Sequence, residues 1–164
     1  MTMKPREALL KDVAQAIAQF QSATALVDEA ATVYLGINRT DLRLLGLLYS
    51  QGPLNAGRLA SAAGLSPGAT TVAIDRLERA GYVQRLRADG DRRAIVVEAT
   101  LAARERIEAI YGPVGRIGME RLARYSYSEL QLLYDFLVEG HGLQVEQAAR
   151  IRAMAGEADK ESQR

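Results

Sequence analysis

Through the first 36 residues, apolar side chains return at alternating steps of four and three: Val13, Ile17, Phe20, Thr24, Val27, Ala31 and Tyr34. That period predicts one long helix over residues 5–36 with a single apolar stripe. A terminal helix of this kind packs on its own domain or forms a seam with a second copy, and the pattern allows both. Gly36 ends it. Asn38 or Thr40 can cap the next helix, which carries Leu42, Leu45, Leu48 and Tyr49 to about Ser50. After the stop at Gln51-Gly52-Pro53, Asn55 can cap a short helix, AGRLASAA, closed by Gly64. Ser66 then caps a helix with Pro67 at its first position, where a missing N–H costs nothing, and Gly81 follows its end at Ala80.

From Tyr82 the pattern turns β-prone. Tyr82 to Arg87 and Ala94 to Ala99 read as two strands around the turn Ala88-Asp89-Gly90-Asp91. A lone hairpin is marginal in water, so this one must lean on helices. Thr100 opens a helical stretch to Arg124 with Ile107, Ile110, Val114 and Ile117 on one face, and Gly112-Pro113 predicts a kink or break within it. Ser126-Tyr127-Ser128-Glu129 matches a capping box for a last helix bearing Leu130, Leu133 and Leu137. Gly140-His141-Gly142 predicts a break or weakening there, and His141 reads as an exposed helix-end residue. The fold class is mainly α with a small β-hairpin (α+β). Residues 1–37 and 100–152 form the expected helical lobe, 38–99 a lobe of helices and hairpin, and 153–164 a flexible tail.

The middle lobe has the order of a winged helix-turn-helix, in which a first helix braces a second whose start enters the DNA major groove. Ala60, Ala62, Ala63 and Gly64 supply the small residues that close bracing needs. Thr70, Ala73 or Ile74, and Leu77 share an inward face. This leaves Ser66, Pro67, Gly68, Thr71, Val72, Asp75 and Arg76 outward or at the helix start. Small hydroxyl and apolar groups there suit base edges and thymine methyls, and Arg76 suits a backbone phosphate. At the hairpin tip Asp91 and Arg93 share a face; Asp91 can steady the tip while Arg92 or Arg93 reaches a minor groove.

Net charge is only +1, yet Arg58 to Arg93 holds seven arginines, no lysine and four acids. The surplus lies where the helix-turn-helix lies, which suits a binder that leaves non-specific sites readily. One histidine and no cysteine exclude thiol nucleophiles, disulfides and His-rich metal sites, and no phosphate-binding glycine motif is present. An enzyme is therefore not expected, nor a metal or cofactor. No stretch approaches a membrane span, so no membrane partner and a cytoplasmic location are expected.

The segments LGINRTDLRLLGLL, LSPGATTVAIDRLERAGYVQR and DGDRRAIVVEAT together resemble the MarR family of winged-helix transcription regulators. Asp91 and Arg93 match that family's Asp-x-Arg wing signature. The resemblance implies a homodimer, built by the terminal helices, that binds a pseudo-palindromic operator in double-stranded DNA, usually as a repressor. It implies a small, often aromatic effector between the dimer helices and the DNA-binding lobe. Tyr34, Tyr49 and Tyr111 are the candidate ligand contacts. Thr70 departs from the pattern, since the family usually has an apolar residue there. The rival is an architectural or scaffold winged-helix protein without operator specificity.

Overall fold

The computed structural model describes the backbone of residues 4–88 and 91–162, with side chains for 4–87 and 95–154. Its elements are α1 (Arg6–Leu35), α2 (Arg39–Gln51), α3 (Ala56–Ala63), α4 (Pro67–Arg79), β1 (Val83–Ala88), β2 (Asp91–Ala99), α5 (Leu101–Leu122) and α6 (Tyr127–Ser162). The chain divides into two compact units, Met1–Pro113 and Val114–Arg164.

In the first unit the local signals set the boundaries. Asn38, Asn55 and Ser66 each accept the backbone N–H three residues on, so all three short helices start on a side-chain cap. Between α3 and α4, Gly64 takes a left-handed conformation (φ 62°), and the Leu65 N–H reaches back to the Ala60 carbonyl at 2.9 Å. That turn points the two helices in different directions without a strained side chain.

The core lies among α2, α3, α4 and the hairpin, with Leu44, Leu45, Leu48, Leu59, Ile74 and Leu77 fully enclosed. β1 and β2 pair antiparallel from Val83↔Ala99 to Arg87↔Ile95, and the register then shifts so that Ala88 faces Asp91. Leu54, in the α2–α3 connection, adds a third rung: its N–H and C=O exchange hydrogen bonds with Val97 at 3.0 and 2.8 Å. The hairpin root is thus held by the helices, as an isolated two-stranded ribbon would need.

Tyr82 joins α1, the start of β1 and α5. It is buried, and its hydroxyl donates to the Leu35 carbonyl at the end of α1 (2.6 Å). The same oxygen accepts from Arg106 of α5 (2.9 Å), whose guanidinium lies 5.7 Å from the ring centre. Tyr82→Phe should lower stability by about 1–2 kcal/mol, because it strands a carbonyl away from water. A urea titration with an unchanged midpoint would mean that water replaces the hydroxyl.

The apolar stripe of α1 does not sink into this core. Ala31 and Leu35 are its only buried residues, Ile17 is half-buried, and Val13, Val27, Tyr34 and Phe20 (71% exposed) remain open. In α5 the same face buries Ala103 and Ile107 but exposes Val114 and Ile117. Of the kink or break expected at Gly112-Pro113, no break occurs, since Pro113 lies inside a continuous 22-residue helix. A proline removes one intrahelical bond, which a helix of that length survives.

In the second unit the capping box forms as read. The Ser126 hydroxyl receives the Glu129 N–H, and the Glu129 carboxylate accepts from the Ser126 hydroxyl at 2.7 Å and the Ser126 N–H at 2.8 Å, the last two bonds drawing its pKa below the usual carboxylate value. No break occurs at Gly140-His141-Gly142: α6 runs through it to Ser162, beyond residue 153 where the sequence suggests a tail. His141 is exposed in mid-helix rather than at a helix end. Two glycines cost a helix about 1 kcal/mol each, which the other 34 residues of this 36-residue element outweigh.

Candidate nucleic-acid interface

α4 buries Thr70, Ala73, Ile74 and Leu77, so both inward alternatives are taken. Thr70 fits an apolar position because its hydroxyl donates to the Ser66 carbonyl (2.9 Å) and leaves only a methyl to pack. Ala60 and Ala63 of α3 are buried under the turn, whereas Ala62 faces outward. Ser66, Pro67, Gly68, Ala69, Thr71 and Val72 form an exposed leading edge.

Arg76 is partly outward, as the sequence suggests, but its guanidinium is paired. Its Nε and one Nη donate to the two carboxylate oxygens of Asp41 at 2.6 and 2.5 Å. Asp41 is 1% exposed, while the arginine side chain remains 41% exposed. This bidentate pair fastens α4 to α2. The bond to Asp41 holds the Arg76 pKa above its ordinary value. Asp41 carried a signal that the reading of the sequence missed. It falls in the same three-and-four series as Leu44, Leu45 and Leu48, and a charge on an apolar face demands a partner.

The hairpin is tied to the same helix. Arg85 of β1 donates to both Asp75 and Glu78 of α4, so these acids are occupied. Arg79 donates from Nε to the Asp75 carbonyl. In α2, Arg43 reaches the Ala63 carbonyl at the end of α3 (3.1 Å), tightening the brace from a third side. For the wing, the backbone from Asp91 is a strand, but the side chains of Asp91, Arg92 and Arg93 lie outside the described residues.

The three tyrosines sit in different surroundings. Tyr34 is exposed, Tyr49 donates to Glu108 (2.7 Å), and Tyr111 donates to Asp28 (2.9 Å). Burial, reinforced by the Asp28 carboxylate, pushes the Tyr111 hydroxyl up to about 12 and keeps it a donor. A cavity of about 330 Å³ lies between α1 and α2, lined by Ala25, Asp28, Arg39, Leu42, Arg43 and Gly46. Asp28 is the link between that cavity and Tyr111. Among the described residues no cluster of His, Cys, Asp or Glu could hold a metal, and no helix is long and apolar enough to cross a membrane.

The chain as a whole is similar to known proteins. The chain is 32% identical over 151 residues to YcgE of Bacillus subtilis (strain 168), an uncharacterized HTH-type transcriptional regulator, covering 92% of this chain and 98% of that one. A MarR family protein from Bacillus stearothermophilus shares the fold with a TM-score of 0.61 at 19% identity, over 87% of this chain and 99% of that one. NadR in complex with 4-hydroxyphenylacetate does so with a TM-score of 0.58 at 24% identity, over 85% and 96%. Residues 37–95, the helices and hairpin just described, match the MarR family itself. The chain belongs to the MarR family of winged helix-turn-helix, DNA-binding transcription regulators.

Proposed function

We propose that this regulator works as a homodimeric, ligand-responsive repressor on a pseudo-palindromic operator. The observation that carries the reading is the exposed leading edge of α4, residues 66–72, on a helix braced by Asp41, Arg43 and Arg85. In this reading Ser66, Pro67, Gly68, Thr71 and Val72 face the major groove. Asp91 steadies the wing, and Arg92 and Arg93 enter the minor groove, while Arg76 acts indirectly by fixing the helix.

A second copy is the partner that the apolar surfaces favour. Val13, Phe20, Val27 and Val33 on α1 are open, as are Leu132, Tyr134 and Leu137 on α6, and faces of this extent are seldom left to water. Residues 1–37 and 100–152 are therefore assigned to dimerisation and 38–99 to DNA binding. For the effector, the α1–α2 cavity has a volume suited to a small ring-bearing molecule, and its two arginines favour an acid. NadR, with its bound aromatic acid, supports the same class. Of the three tyrosines, Tyr111 retains the best claim, through Asp28.

Selection of bound duplexes from a random pool tests the proposal. The expected product is an inverted repeat with half-site centres about 10 base pairs apart. Arg93→Ala should then weaken binding by about 1–3 kcal/mol in an anisotropy titration. Salt-sensitive binding without a consensus would instead favour the architectural alternative.

A further inference from the structure

The leading edge of α4 lacks the groups that usually read bases by hydrogen bonding. Guanine is most often recognised by an arginine or lysine fork, and adenine by an asparagine or glutamine amide. None of these stands at residues 66–72. Further along, each charged side chain is engaged within the protein: Asp75 and Glu78 by Arg85, Arg76 by Asp41, and Arg79 by the Asp75 carbonyl. Arg79 also lies about 18 Å along the axis from Pro67, beyond a groove contact made by the helix start.

The hydroxyls are partly committed, Ser66 keeping its O–H donor and Thr71 its acceptor lone pairs. The Ser66 oxygen accepts the Ala69 N–H, and the Thr71 hydroxyl donates to the Pro67 carbonyl at 3.1 Å. Thr71 also offers its methyl. Beside it stand the Val72 isopropyl group, 57% exposed, and the exposed Ala69 methyl and Pro67 ring. Gly68 leaves this surface bare, although a Cβ there would meet no atom within 4 Å. Nothing in the protein's own packing requires the glycine, so its effect is to let a ligand surface come close.

An exposed apolar edge on a rigid helix has one complementary feature in the major groove, the C5-methyl group of thymine. We propose that Val72 and Thr71 specify the operator by packing against thymine methyl groups, so that sequence discrimination in the major groove is apolar rather than hydrogen-bonded. This rests on the DNA-binding reading above and names the chemistry by which that surface chooses its site.

The probe is the duplex recovered by selection, resynthesised with deoxyuridine for thymidine at single positions in both half-sites. Each exchange removes one methyl and leaves base pairing intact. Burial of one such group corresponds to about a fourfold change in affinity per half-site, or roughly 15-fold for a symmetric pair. One or two positions per half-site should show that loss by anisotropy. In Val72→Ala the loss at one of them should vanish while the others persist. Replacing guanines under the helix by 7-deazaguanine should change little. A consensus that tolerates deoxyuridine throughout, or responds more to 7-deazaguanine, overturns the inference and leaves operator binding intact. Failure to select any consensus overturns both readings together.

Discussion

Leu59→Ala should lower the free energy of unfolding by about 3–4 kcal/mol, the range for a leucine truncated where the surroundings cannot collapse. Leu59 is 0% exposed and is the one large buried side chain of the eight-residue α3, whose other buried residues are Ala60 and Ala63. A helix that short has no stability of its own, so its position depends on that anchor. Arg43 and the Gly64 turn fix only its carboxyl end. The loss should appear as a lower urea midpoint with an unchanged slope. A change under 1 kcal/mol would show that the neighbouring leucines fill the space and that the brace is softer than its burial implies.

Arg76→Met should be nearly as damaging, by about 3 kcal/mol, the low end for breaking a buried ion pair. The variant leaves the Asp41 carboxylate 1% exposed and without its partner. Because two-fifths of the arginine side chain is already exposed, water can partly take its place, which keeps the figure low. The double variant Asp41→Leu/Arg76→Met should recover most of the loss, since an apolar pair needs no counter-charge. If single and double variants unfold at the same denaturant concentration, the arginine serves through its hydrocarbon stem and the pairing is incidental.

The sequence disclosed local chemistry better than tertiary pairing. Asn55, Ser66, Thr100 and the Ser126–Glu129 box act within three residues, so their caps were legible from identity and spacing alone. The inward face of α4 was legible for the same reason. Asp41–Arg76 spans 35 residues and Tyr82–Leu35 spans 47, and no local rule links such partners. Arg76 reads as a phosphate ligand from the sequence, and the structure pairs its guanidinium with Asp41 while leaving two-fifths of the side chain exposed. The glycine and proline punctuation suggests a kink or break at 112–113 and a break or weakening at 140–142, and the helices run on through both. At the candidate site, the leading edge of α4 was visible early. The α1–α2 cavity was not, because Asp28, Arg39 and Arg43 meet only once α1 and α2 have packed.

The Tyr82 junction also has a place in time. Its hydroxyl closes one connection of 47 residues to Leu35 and another of 24 to Arg106, whereas the caps close in three. Distant closures carry the greater entropic cost and follow the local ones during folding. The tyrosine therefore latches a helix-turn-helix that has already assembled. Its removal belongs on the unfolding limb of a chevron, where the native state escapes faster while the approach to it is little changed.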